Sequence, residues 1–181
     1  AYMIMAIAAG IGIIWRMKLA HAVAASVAPL GAWFTFLALV TGSIWGKPMW
    51  GTWWEWADPR MTSELILLFL YFGYMALRSA IEDTAKADKA SAILAMVGAV
   101  NVPIIHFSVN WFTSLHQGPT IIRDQGPAIG AAMLYPLLAM IFGFSFLFGA
   151  LLLMRVRAEV LHRERRSKWV RRLVMGEEKA A

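Results

Sequence analysis

Charge divides this chain into long apolar windows. No Asp, Glu, Lys or Arg occurs in residues 1–15, 19–46, 65–77, 90–122 or 125–154. A helix that spans a bilayer needs roughly 20 mostly apolar residues. Three windows exceed that length, and the 65–77 window reaches it when extended to residues 61–80. The pattern predicts an all-α fold, a polytopic integral membrane helical bundle with five visible spans, the first incomplete. At about 1.5 Å per residue the opening window covers roughly 22 Å, short of a hydrocarbon core of about 30 Å. With alanine at position 1, this implies a helix that begins before residue 1. The opening window carries no basic n-region and no cleavage site, so it does not read as a signal peptide.

The punctuation between windows sets expected boundaries. A short basic turn, "WRMKLAH", ends the first helix. The second is expected from about residue 22 to 44, with Pro29 kinking it or marking its start. Its small residues (Ala24, Ala25, Ser26, Ala28, Gly31 and Ala32) suit close packing in lipid. Thr62 or Ser63 is expected to cap the third helix, with Glu64 in its first turn. The fourth, about 91–109, carries Asn101, Pro103 and His106 near its outer end. Polar groups in a span are functional candidates. The fifth runs from about 128 to 154. The expected organisation is a bundle over 1–154, with outward loops at 45–62 and 110–127, and a basic tail over 155–181.

Positive charge orients the bundle. With the segments in alternation, 14 of the 17 Lys and Arg residues fall on one side, nine of them in the tail. Only Lys47, Arg60 and Arg123 fall on the other. The positive-inside bias makes the tail cytoplasmic and the two loops outward, periplasmic in a Gram-negative inner membrane. The sequence pI near 10.0 therefore reflects topology and not nucleic-acid binding. The tail suits an anionic lipid surface, a cytoplasmic partner or a solvated extension of the last helix. With no cysteine there is no disulfide framework, thiolate metal site or C-x-x-C-H haem attachment. The sequence has no P-loop, and "GIG" at 10–12 is a small-residue pair within a span. No nucleophile–base pair or carboxylate dyad stands out, which argues against an enzyme.

The outward loop "WGKPMWGTWWEWADPR" holds five of the nine tryptophans in twelve positions: Trp45, Trp50, Trp53, Trp54 and Trp56. An interfacial belt needs one or two at a helix end. Five suggest a platform for a large, flat, apolar ligand, since indole faces stack while each N–H still finds a partner. Gly46, Pro48, Gly51 and Pro59 are expected to fold the loop tightly beneath it. Lys47 and Arg60 would suit two anionic propionates. A quinone or a lipid would satisfy the tryptophans too. His116, in the other outward loop, lies on the same side and supplies a possible axial imidazole for haem iron. His106 would serve as a second ligand, a substrate contact or a hydrogen-bonded packing residue, with packing preferred. His21 and His162 fall on the cytoplasmic side.

"WGKPMWGTWWEWADPRMTSE" resembles the tryptophan-rich WWD signature of membrane haem-handling proteins. Together with "VNVPIIHFSVNWFTSLHQG", it makes the chain similar to the haem-handling protein C family of bacterial cytochrome c maturation, CcmC. The resemblance covers almost the whole chain. It implies six spans, with this chain beginning inside the second and the first haem histidine lying before residue 1. It implies that haem b is held as cargo at the outer face of the inner membrane and presented to a periplasmic haem chaperone. ABC transporter subunits and a small membrane subunit are the implied partners, beside membrane lipid. Carried over by residue, His116 is the axial ligand. Trp50, Trp53, Trp54 and Trp56 are the signature tryptophans, joined by Trp45, Asp58 and Arg60 as the haem-binding set. The family pattern runs Trp-x-Trp-Asp-x-Arg, whereas here Ala57 separates Trp56 from Asp58. That extra residue predicts a bulge at Ala57 or a changed role for Asp58. The competing expectation, a haem-b or quinone-binding anchor subunit of a redox enzyme, calls for histidines facing one another within the bilayer.

Overall fold

The computed structural model describes residues 1–118, 120, 121 and 126–175. Among the described residues seven helices form, in chain order α1 (Tyr2–Ile14), α2 (Lys18–Trp50), α3 (Pro59–Ala80), α4 (Thr84–Gly98), α5 (Asn101–Trp111), α6 (Ala131–Arg163) and α7 (Lys168–Met175). No strand occurs among the described residues. Among the described residues, four helices are long and apolar enough to cross a membrane: α2, α3, the rod Thr84–Trp111 formed by α4 and α5, and α6. With the shorter α1 they make the expected five segments of an all-α polytopic bundle. Arg123 lies outside the described residues, as does part of the expected loop 110–127.

Local chemistry moves several expected boundaries. α2 starts at Lys18 and continues through both Pro29 and Pro48. Each proline removes one hydrogen bond, which a helix of 33 residues packed on its neighbours tolerates. Trp45, Gly46 and Pro48 are therefore helical and not part of a tight loop. The helix ends at Gly51, whose φ of 78° is the left-handed conformation that glycine adopts without a Cβ clash. Its N–H bonds the Lys47 carbonyl at 3.0 Å. α3 is capped by Asp58 and not by Thr62 or Ser63. Asp58 Oδ1 accepts from the N–H groups of Arg60 (3.0 Å) and Met61 (3.1 Å), and Pro59 occupies the first helical position. Glu64 thus sits beyond the first turn.

The fourth segment is broken between α4 and α5, because Pro103 offers no N–H to the Ala99 carbonyl. Val102 N–H bonds it instead at 3.1 Å, tightening the turn. Asn101 ties the rod to α3, its Nδ2 donating to the Ser63 carbonyl at 2.8 Å. This expected functional candidate is thereby satisfied structurally.

The core is small-residue packing, as the alanines of the second segment suggested. Ala24, Val27, Ala28 and Ala32 of α2 meet Met5, Ala8 and Ala9 of α1, Leu67, Leu68, Tyr71 and Tyr74 of α3, and Ala92 and Ala95 of α4. Gly31 faces Tyr71 so closely that a Cβ there would collide with the Cζ and hydroxyl oxygen of the phenol. α6 stands at the edge, touching α2 through Phe34 against Phe144 and Phe148 (centroids 6.3 and 6.2 Å) and burying none of its own residues. It runs unbroken past residue 154 to Arg163. There Arg163 and Glu159 join Arg78 and Asp88 in an ion network at the end of the bundle opposite the tryptophans.

Candidate ligand-binding site

The last turns of α2, the segment 51–58 and the chain after α5 converge at one end of the bundle. α2 carries Trp45 and Trp50 there, ring centroids 5.2 Å apart and nearly perpendicular at 84°. Trp50 in turn meets the His116 ring at 4.8 Å and 64°. The helical phase of α2, and not a loop fold, thus sets this aromatic ladder.

Segment 51–58 is pinned by polar contacts. Ser43 Oγ donates to the Trp53 carbonyl at 2.5 Å, and Thr52 Oγ1 donates to the Trp54 carbonyl at 2.8 Å. The extra residue Ala57 forms a tight turn and not a bulge. Asp58 N–H bonds the Glu55 carbonyl at 3.1 Å, and Ala57 N–H bonds Glu55 Oε1 at 3.1 Å. This turn delivers Asp58 to its capping position.

Asp58 is only 2% exposed and works in two directions. While Oδ1 caps α3, Oδ2 accepts from Ser114 Oγ at 2.7 Å and from Leu115 N–H at 2.8 Å. His116 Nδ1 lies 3.4 Å from the same oxygen, and His116 N–H donates to Ser114 Oγ at 3.1 Å. One buried carboxylate therefore fastens the His116 segment to the start of α3. Burial would raise its pKa, but the hydrogen bonds from Ser114, Met61 and Leu115 and the neighbouring His116 hold it below the usual 3.8.

Two cavities share Trp45, Trp50, Arg60 and His116 as walls. One, of about 530 Å³, is completed by Met49, His106, Asn110 and Gln117 among others. The other, of about 410 Å³, is completed by Leu39, Ser43, Trp54, Met61 and Glu64. Each falls in the size range of small-molecule sites, apolar with a few convergent polar groups. Trp54 Nε1 is buried with no hydrogen-bond partner among the described residues.

A family model described as "Heme exporter protein C" matches residues 1–171. The chain belongs to the CcmC family. Heme exporter protein C of Escherichia coli strain K12 is 53% identical over 174 residues, 96% of this chain and 69% of that protein. The Haemophilus influenzae protein of the same name is 52% identical over 169 residues, covering 93% and 68%. That of Bradyrhizobium diazoefficiens is 49% identical over 164 residues, covering 91% and 62%.

In this CcmC-family chain, five expected site residues come together on the cavity walls: Trp45, Trp50, Trp54, Arg60 and His116. Trp53 and Trp56 do not; they are 55% and 72% exposed, with Trp56 edge-on to Trp54 at 5.6 Å. Asp58 lies behind His116 and lines neither cavity. Lys47 also lines neither, and its Nζ donates to the Gly51 carbonyl at 3.0 Å. The preference for His106 as a packing residue is not met: the residue is exposed and shares the larger cavity with His116, its ring edge-on to Phe107 at 4.7 Å. Glu64 and Ser114 were missed. The spacing of Arg60 and Glu64, four residues on a helix, was the available signal for Glu64. Nothing local announces Ser114.

Proposed function

We propose that this chain holds haem b as cargo at the outward, periplasmic face of a bacterial inner membrane and presents it for transfer to a periplasmic haem chaperone. The observation that carries this reading is His116, set edge-on to Trp50 on the wall shared by two cavities. An imidazole there offers an axial ligand, while Trp45, Trp50 and Trp54 supply flat apolar surface for a macrocycle. Arg60, facing both cavities, suits a propionate, because a guanidinium pairs a carboxylate through two parallel hydrogen bonds.

Transfer needs a site that releases as well as binds. The segment between α2 and α3 adds Trp54 to the wall of the smaller cavity, and Trp53 and Trp56 project from the same segment toward solvent. A receiving protein would meet these indoles first. Handing over cargo requires no bond-making by this chain, so the role is handling and not catalysis. ABC transporter subunits and a small membrane subunit are the partners this reading assigns, with the former supplying ATP hydrolysis. The basic tail 155–181 is assigned to the cytoplasm by its charge.

The test is the visible spectrum of the membrane protein purified from haem-replete cells. The parent should show a Soret band, diminished in His116→Ala and in the double variant Trp50→Ala, Trp54→Ala. Equal Soret intensity in parent and both variants would sink the reading.

A further inference from the structure

We propose that Asp58 does not touch haem but is a positioning residue that fixes the His116 imidazole with its proton on Nδ1 and its Nε2 lone pair free for iron. The inference rests on the haem-presenting role above, and it adds how the ligand is prepared before haem arrives.

Among the described residues two groups lie within 3.4 Å of His116 Nδ1: Asp58 Oδ2 and Ser114 Oγ. An ionised carboxylate can only accept. The single proton of the Ser114 hydroxyl is committed to Asp58 Oδ2 at 2.7 Å, so its oxygen is also an acceptor toward the ring. Two acceptors face Nδ1, and the favoured neutral tautomer carries its proton there. Nε2 is then bare. Metal-binding histidines are commonly held in this way, by a carboxylate on the far ring nitrogen that fixes orientation and raises basicity. Asp58 is suited to the role because burial and four further hydrogen bonds leave it one placement: two from the start of α3, and two from Ser114 and Leu115. The Glu55–Asp58 turn that accommodates Ala57 delivers the carboxylate to this point.

Asn is the discriminating substitution. In Asp58→Asn the amide oxygen can still cap α3, since Asn caps as well as Asp. The amide NH2 then replaces Oδ2: it gives up the bond from Leu115 N–H and offers His116 Nδ1 a donor, so the tautomer and not affinity alone is the deciding readout. The ring should answer by moving its proton to Nε2, which blocks the iron-binding nitrogen.

The experiment is nitrogen NMR of ¹⁵N-histidine-labelled whole protein in detergent, free of haem, at pH about 9, where an ordinary imidazole is neutral. His116 is assigned by comparison with His116→Gln. The parent is expected to show the Nδ1–H tautomer, and Asp58→Asn a shift toward Nε2–H. In haem titration Asp58→Asn should bind about 10- to 100-fold more weakly, the range for loss of such a partner. Ser114→Ala leaves the carboxylate facing Nδ1 and should keep the Nδ1–H tautomer and bind within a few-fold of the parent. An Nε2–H tautomer in the parent overturns the proposal whatever the variants do. So does an Asp58→Asn protein with the parent's tautomer and affinity, or a Ser114→Ala protein that loses as much affinity as Asp58→Asn, which would mark a mere loop clamp. A His116→Ala protein that keeps its Soret band would instead defeat the haem reading, leaving the tautomer result standing.

Discussion

Trp50 sets its indole against the edge of the His116 imidazole, with ring centroids 4.8 Å apart and planes at 64°. The contact joins the end of α2 to a segment 66 positions later in the sequence. It also restricts how the imidazole can tilt toward either cavity. Such pairs contribute about 0.5–1.5 kcal/mol beyond area burial. Trp50→Ala should therefore weaken haem binding by about 2- to 10-fold through the ring contact alone, and Trp50→Phe by less. Soret titration of the purified variants checks this. A Phe variant as weak as the Ala variant would show that the indole N–H, and not the aromatic edge, matters.

Asp58 also predicts a direction of pH dependence. Its folded-state pKa lies below the ordinary 3.8. As pH falls, the unfolded chain takes up this proton first, so protonation favours unfolding. The stabilisation is complete above about pH 4 and declines as pH falls through the lower folded value. Thermal unfolding of the haem-free protein in detergent, between pH 6 and 3, should show the parent's advantage over Asp58→Ala shrinking toward the acid end. An advantage that grows on acidification would reverse the sign assigned here.

How far the sequence disclosed all this depended on whether a signal was local. The spans were legible, because an uncharged apolar run is itself the requirement for crossing a bilayer. The tryptophan platform was legible as density, but not which indoles take part. That depends on α2 continuing helically through Gly46 and Pro48, which read as turn residues and are carried by packing of the same helix lower down. His116 was found by residue type and side. For Asp58 the sequence leaves a changed role open, because Ala57 displaces it from the family spacing, and the turn that absorbs Ala57 rests on Glu55 contacts that spacing does not encode. The link from Asp58 to Ser114 and Leu115 crosses more than 50 positions and has no periodic signature. His106 looked like a packing residue because it falls in an apolar run. Its exposure follows from the phase of α5 after the break before Asn101.

The close approach of α2 and α3 gives a steric prediction. A methyl group at Gly31 would enter the Tyr71 phenol, and Tyr71 is itself 1% exposed with the Tyr2 ring edge-on at 5.0 Å. Gly31→Ala should destabilise the bundle by about 1–3 kcal/mol, the usual cost of overpacking a filled core. Tyr71→Ala should destabilise it too, by leaving a cavity. Combined, the two changes should cost less than their sum, because the methyl group then enters space the ring vacated. Chemical denaturation in detergent measures all three. Strict additivity would mean that the contact is not what fixes glycine at this position.

The ion network at the opposite end yields the largest expected loss of stability. Asp88, with a side chain 8% exposed, is shared by two guanidiniums: Arg163 through both terminal nitrogens, at 2.8 and 3.1 Å, and Arg78. Glu159 Oε1 accepts from Arg78 and from Arg163 Nε, each at 2.8 Å. These contacts tie the ends of α3, α4 and α6, and α6 otherwise touches the bundle along α2 with no buried residue of its own. Removing one member of a buried pair leaves a charge uncompensated, at a cost of about 3–5 kcal/mol. Asp88→Ala should lose stability in that range, and added salt should mask little of it, because the groups are shielded from solvent. The pair Lys86–Asp83 is the control. At 4.0 Å and with 80% and 51% exposed side chains it is a surface contact, so Lys86→Ala should change stability by less than about 1 kcal/mol. If Asp88→Ala proves no more damaging than Lys86→Ala, the network does not hold α6 to the bundle.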